Sequence, residues 1–272
     1  MKLSIAIDFT LLSWRGLKSE RQQTKSAQVI LKELGNVELD AIDLRELRRT
    51  VWKDLSPATQ KKRVNVLNKI MNEGKANGWQ GSMPVKPSIR LDNSNPVFLS
   101  RDNIKALKEA SRGDYMHDVI VFLLETSCRP SEMLNLEFRD LGRNNHGTET
   151  VTFRATKNGK NRTIPATRNV IAIIKRHIPS ARVPSARVFD KFALRTIQLK
   201  WQKLAESVGL SGTGDFSLYV LRHTGASLMV QNGVAIAAVS AYLGHSNIQM
   251  TMRYAKFNTE SLSVCSDIFD DF

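Results

Sequence analysis

Apolar positions recur at helical spacing along most of the chain and at strand spacing in one short stretch. Residues 19–34 carry an amphipathic pattern closed by Gly35, and 43–53 predict a short second helix. Ser56-Pro57 reads as a helix start, because serine can cap free N–H groups and proline suits the first helical position. The helix from Pro57 puts Val64, Leu67 and Met71 on one face, with Lys61, Lys62, Arg63, Lys69 and Lys75 largely elsewhere. Over residues 80–96 the periodicity stops. Pro84, Pro87 and Pro96 with Gly81 mark an extended linker, and the domain boundary falls near Asn95.

The second part is mixed. Helices are predicted at 100–111, at 115–126 (largely apolar, hence buried) and from Pro130 through Phe138. Residues 149–155 and 162–165 then read as strands, joined by TKNGKN, whose Asn158-Gly159 is a hairpin-turn signal because both residues tolerate positive φ. Helices resume at about 167–178, 192–208, 218–232, 234–243 and 247–256. Ser217 stands as a cap for the helix at 218–232, and Ser246 with Gln249 forms a capping box for the last helix. The fold class is mainly α with a small antiparallel β-sheet, in two domains: 1–95 helical, and 97–272 with a C-terminal tail from 257.

Composition narrows the function. A chain of 272 residues with 42% apolar content can bury a core. It has no apolar run of the roughly 20 residues that a membrane span needs, and Asp8 interrupts the only apolar stretch near the start. A cytoplasmic protein is expected, with Cys128 and Cys265 reduced. The formal charge is +14. Residues 1–96 carry 17 basic and 10 acidic groups, residues 97–256 carry 23 and 12, and the last sixteen carry 4 acidic groups and no basic ones. Two basic bodies with an acidic tail suit a polyanion, most simply nucleic acid; a basic protein without such a partner is the competing reading.

No metal site is visible: His117, His146, His177, His223 and His245 form no ligand-spaced pairs, and there is no phosphate-binding glycine loop. The carboxylates do not cluster, which argues against a two-metal nuclease. Four places are unusual. In TSCRPSEMLNL, Arg129 lies in a break between apolar helices and must find an anion or a carboxylate, with Glu132 as its structural alternative. In ATKNGKNRTIP, Lys157 ends a strand beside the turn, where it is either a mobile cation or an ordinary surface lysine. In SLYVLRHTGASLMVQNG, Tyr219 and Arg222 share a helical face and His223 points elsewhere. In LGHSNIQMTMRYAK, His245 sits at a helix cap and Tyr254 lies beyond it.

In order, Arg129 with Glu132, Lys157, Tyr219-x-x-Arg222, Leu243-Gly244-His245 and Tyr254 resemble the tyrosine recombinases of the phage-integrase family. The likeness covers about residues 97–256, and the helical first part resembles, more loosely, the family's core-binding domain. One position departs: where the family most often has His, this chain has Tyr219, which can donate a hydrogen bond but is not a good base near neutrality (phenol pKa about 10). The resemblance implies a site-specific recombinase that cleaves and rejoins double-stranded DNA through a 3′-phosphotyrosine, with no metal, ATP or other cofactor.

It implies Arg129, Arg222, His245 and Tyr219 as phosphate ligands, Lys157 as the acid for the leaving 5′-oxygen and Tyr254 as nucleophile. The physics is consistent. Planar guanidinium forks stay charged and match phosphate oxygens, and a phosphotyrosine conserves the bond energy for rejoining. A two-domain clamp on opposite sides of the duplex is expected, with a homo-tetramer on two sites, the C-terminal tail packing on a neighbour, and accessory DNA-bending proteins. The competing readings are type IB topoisomerase-like relaxation and a DNA-binding protein that has lost catalysis.

Overall fold

The computed structural model describes residues 1–17, 19–90, 97–154, 161–177, 183–210 and 217–257. The chain divides into two compact units, Met1–Asn93 and Ser94–Phe272. The first contains α1 (Leu3–Ser13), α2 (Glu20–Leu34), α3 (Leu44–Arg49) and α4 (Pro57–Ala76). Helix α4 starts as the sequence predicts: the Ser56 hydroxyl accepts the Thr59 N–H at 3.3 Å and Pro57 fills the first turn. Val64, Leu67 and Met71 are buried against α1 and α2.

Helix α1 lies where the sequence pattern gives none. Lys2 precedes it without a side-chain cap, so no start signal marks it. Its buried Leu3, Ala6, Ile7 and Thr10 nevertheless follow helical spacing. Helix α3 stops at Arg49 rather than running to Lys53. Beyond it, Trp52 is fully buried and donates its indole N–H to Glu33 at 3.0 Å. On α4, Lys61, Lys62, Lys69 and Lys75 are exposed, whereas Arg63 is half-buried and forks onto the same Glu33 carboxylate at 2.9–3.1 Å.

The second unit is mainly helical around a small sheet. Helices α5 (Arg101–Ala110), α6 (Tyr115–Thr126) and α7 (Pro130–Leu134) precede strands β1 (Leu141–Arg143), β2 (Glu149–Phe153) and β3 (Arg162–Pro165). Helices α8 (Arg168–Arg176), α9 (Leu194–Ser207), α10 (Tyr219–Gln231), α11 (Ile236–Leu243) and α12 (Gln249–Met252) follow. Helix α6 is the hub: Met116 and Val119 to Leu124 are buried, and α5, α7, α8, α9 and α10 pack on it. Each such Leu, Ile or Phe contributes roughly 1.5–3 kcal/mol by leaving water. The sheet is antiparallel in the order β1-β2-β3, with Val151 opposite Ile164 and Phe153 opposite Arg162. Strand β1 is not predicted, being three residues long with a central glycine. The Asn158-Gly159 turn lies outside the described residues.

Three local expectations are corrected. Helix α7 ends at Leu134, and a 3-10 turn at Phe138–Asp140 takes the place of its predicted last turn. Ser217 offers α10 no side-chain cap; its backbone carbonyl instead accepts the Val220 N–H at 2.9 Å. The Ser246–Gln249 box does not form, because the Asn247 side chain takes the Gln249 N–H at 2.9 Å. The expected final helix is therefore only α12, followed by a 3-10 turn at Ala255–Phe257.

Candidate functional site

The site is assembled by two helix ends and one close helix contact. After α6 the chain turns through Ser127, whose φ of 47° is left-handed and disfavoured for a residue with a side chain. That turn presents the Ser127 carbonyl to Arg222 on α10, which donates to it at 2.6 Å. The two helices approach closely at Gly225: a Cβ there would lie 2.1 Å from the Ser127 hydroxyl and 2.5 Å from the Leu124 carbonyl. Glycine is therefore what lets α10 carry Arg222, only 4% exposed, up to the break that holds Arg129.

The second helix end is that of α11. Gly244 takes a left-handed φ of 67°, its N–H returns to Ala241 and the His245 N–H returns to Ser240, a Schellman ending. The Leu243 carbonyl at this end accepts from Arg222 Nη2 and from Arg162 Nη1, both at 2.8 Å. A helix C-terminus carries partial negative charge and orphan carbonyls, so it suits guanidinium groups. Arg162 also reaches the Glu132 carboxylate at 3.2 Å and lies over the Phe153 ring at 4.6 Å. Glu132 accepts the Arg129 backbone N–H at 2.9 Å and pairs with the Arg129 guanidinium. The structural Arg129–Glu132 pair foreseen from sequence is thus present, within a larger cluster.

Three guanidiniums share this cluster with one ion-paired carboxylate among the described residues. Burial pushes the Arg222 guanidinium down to about 10, and Arg129 and Arg162 add to the effect. Burial alone would raise the Glu132 carboxyl, but the Arg129 backbone N–H and the two arginines hold it below its ordinary value. His245 is pushed down to about 4, first by burial and then by Arg222, Arg129 and Arg162. Its ring is therefore neutral near pH 7, with Nδ1 2.7 Å from the buried Thr251 hydroxyl. Among the described residues the surplus of buried positive charge rests on carbonyl lone pairs, and it suits an incoming anion.

Tyr254 is 1% exposed and packs with Ala226, Val230, Val239 and Leu243. Burial raises its phenol above the ordinary value, opposed by Arg222 and Arg253. Its hydroxyl lies 2.6 Å from His223 Nδ1. Arg222 and Tyr254 are thus close enough to interact electrostatically, and the segments carrying Arg129, Arg222, His245 and Tyr254 converge.

Residues 97–261 match the Phage integrase family. The chain belongs to that family. Tyrosine recombinase XerA of Pyrococcus horikoshii is 30% identical over 183 residues, 64% of this chain and 61% of that protein. The integrase of Escherichia phage 186 is 29% identical over 217 residues, 77% of this chain and 60% of its own length. The chain thus spans about three fifths of the length of these relatives. In fold it is similar to the Tn1549 transposon integrase solved in complex with transposon right end DNA, with a TM-score of 0.74 at 18% identity over 97% of this chain and 100% of that one.

The other candidates of this integrase-family chain are placed differently. Tyr219 is 44% exposed on the first turn of α10 and lines a surface pocket of about 440 Å³ with Pro130, Arg195, Gln198 and Trp201. Lys157 lies outside the described residues, as does the tail beyond Phe257. Tyr242 donates to the Glu125 carbonyl at 2.9 Å, and burial pushes its phenol up to about 12. Cys128 is buried, its thiol likewise pushed up to about 12 by burial. Among the described residues no group of His, Cys, Asp and Glu is arranged to hold a metal ion, and no helix is long and apolar enough to cross a membrane.

Two residues of the site escape the sequence reading. His223 does not point away: it meets the Tyr254 hydroxyl. Arg162 joins Glu132 to the end of α11. The signal for Arg162 lay in strand alternation, since it shares a face with the buried Ile164.

Proposed function

We propose that the protein is a site-specific DNA recombinase that cleaves and rejoins duplex DNA through a 3′-phosphotyrosine on Tyr254, without metal or ATP. The observation that carries this reading is the buried guanidinium surplus around the Leu243 carbonyl, with the Tyr254 phenol within its electrostatic reach. Arg129 and Arg222 bind the non-bridging oxygens of the scissile phosphate. Neutral His245, in the tautomer whose Nδ1 accepts from Thr251, donates from Nε2 to the same group. Charge that grows on these oxygens in the transition state is met by donors already in place, which is where such donors act most strongly. Lys157 protonates the leaving 5′-oxygen, and Tyr219 donates a hydrogen bond to the phosphate from the rim. Bond energy is kept in the phosphotyrosine, so a 5′-hydroxyl can reverse the step.

Family membership favours recombination over free relaxation of supercoils. The matched relatives are named as a recombinase and an integrase. The helical unit before Asn93 acts as a core-binding domain, with the exposed Lys61, Lys62, Lys69 and Lys75 of α4 following phosphates of the same duplex. Two sites are joined in a homo-tetramer, assisted by DNA-bending proteins, in the host cytoplasm and on its nucleoid.

The test begins with selection of a bound site from random duplex DNA. A nicked suicide duplex carrying that site should trap a covalent protein–DNA adduct with the wild type and none with Tyr254→Phe, which should bind the duplex equally well. Failure to recover a site, or an adduct that persists in Tyr254→Phe, contradicts the reading.

A further inference from the structure

The nucleophile assigned above is a buried phenol with a proton to lose, and the residues expected to assist it do not take that proton. Tyr219 is an exposed phenol on the rim. His245 has Nδ1 against Thr251 and, with a value pushed to about 4, is a weak acceptor. His223, one position beyond Arg222 on α10, places Nδ1 2.6 Å from the Tyr254 oxygen, with the ring planes tilted by 42°. That is hydrogen-bond reach to the very atom that reacts.

We propose that His223 is the general base of the cleavage step and the acid of its reversal, a role that rests on the recombinase reading above. As the Tyr254 oxygen bonds to phosphorus, its proton passes to His223 Nδ1. The phosphorus–O5′ bond breaks, and O5′ takes a proton from Lys157. On rejoining, the 5′-hydroxyl gives its proton to the Lys157 amine as it attacks phosphorus. The phosphorus–tyrosine bond breaks, and the proton on Nδ1 returns to the phenolate. The titratable and charged groups around the pair are Arg222 beside it on α10, His245 from the end of α11, and Arg253 next to Tyr254. The cations among them stabilise the phenolate.

The test uses the full chain, the suicide duplex and a second duplex in which sulfur replaces the bridging 5′-oxygen. Sulfur leaves without a proton, so the acid becomes dispensable while the base does not. Lys157→Ala should recover on the sulfur substrate. His223→Asn, which keeps an acceptor near the position of Nδ1, should form adduct about 10²-fold more slowly or worse on both substrates, with DNA affinity unchanged. Wild-type cleavage of the sulfur substrate should rise through one ionisation well below that of the phenol and then level off. In His223→Asn that limb should vanish and the rate should climb towards the phenol ionisation.

Cleavage by His223→Asn within threefold of wild type, or faster, overturns the proposal; faster cleavage would mean that the hydrogen bond merely restrains the tyrosine. If the variant does not fold, the wild-type profile decides: a rate that rises only with the phenol ionisation overturns it. Absence of a wild-type adduct is a different result, since it removes the recombinase reading itself.

Discussion

Each unit of the molecule holds an arginine fork on a buried or half-buried carboxylate, and the two forks differ in their surroundings. In the first unit Arg63 grips Glu33, whose second duty is to accept the Trp52 indole N–H. One cation meets one anion, the remaining bond is neutral, and the arrangement is complete. In the second unit Glu132 faces Arg129 and Arg162, while among the described residues Arg222 donates to the Ser127 and Leu243 carbonyls. The first arrangement joins helices. The second leaves charge in excess where desolvation makes excess costly, and such an excess marks a place prepared for an anion.

The largest expected effect separates the two directly. Arg222→Gln should slow single-turnover adduct formation by about 10²–10³-fold, the range seen when one preorganised transition-state donor is removed. Glu132→Gln should cost about 3 kcal/mol of folding stability at pH 7, because two arginines lose their carboxylate. Its sign with pH follows from a folded carboxyl held below its ordinary 4.5. The stabilisation is fully present above that value and is lost as pH falls through the folded one. Urea melts at pH 7 and in acid should therefore show the gap between wild type and Glu132→Gln closing on acidification. A gap that widened would contradict the charge assignment.

Gly225→Ala sharpens the comparison from the packing side. Its methyl would meet the Ser127 hydroxyl and the Leu124 carbonyl, so about 1–3 kcal/mol should be lost by overpacking. Cleavage should slow as well, since the same contact aligns Arg222 with the Arg129 break; a variant as stable and active as wild type would refute that dependence. Smallest is Arg63→Ala. It should cost about 1 kcal/mol in urea melts and leave the adduct rate on saturating DNA unchanged. A large loss of cleavage would mean that the two forks are not as different as they look.

What could be read from the chain alone follows a physical divide. Helices α4 and α6 were legible because their starts and apolar faces are local: Ser56-Pro57 for one, a run of buried apolar residues for the other. Helix α1 was not, because its own N-cap residue Lys2 offers no cap: its first N–H groups go to the Val37 carbonyl and the Asn36 side chain, more than thirty residues away, and it packs on α2 and α4. The capping box at Ser246 misled because Asn247, one residue on, competes for the same backbone group. Within the site, Arg129, Arg222, His245 and Tyr254 stood out through residue type and order. The use of His223 did not. On a helical wheel it turns away from the Tyr219–Arg222 face, and only the path of the chain after α11 brings the Tyr254 hydroxyl to that other flank. Arg162 reads as a strand residue until its partners, Glu132 and the Leu243 carbonyl, are seen across 30 and 81 residues of sequence.

The central claim is that the guanidinium surplus holds a DNA phosphate for attack by Tyr254. Peptide mapping of the trapped adduct by mass spectrometry tests it most directly. The account predicts a tryptic peptide that includes Tyr254 with its oxygen esterified to the 3′-phosphate of the cleaved strand. A linkage to any other residue, or to a 5′-phosphate, would contradict it.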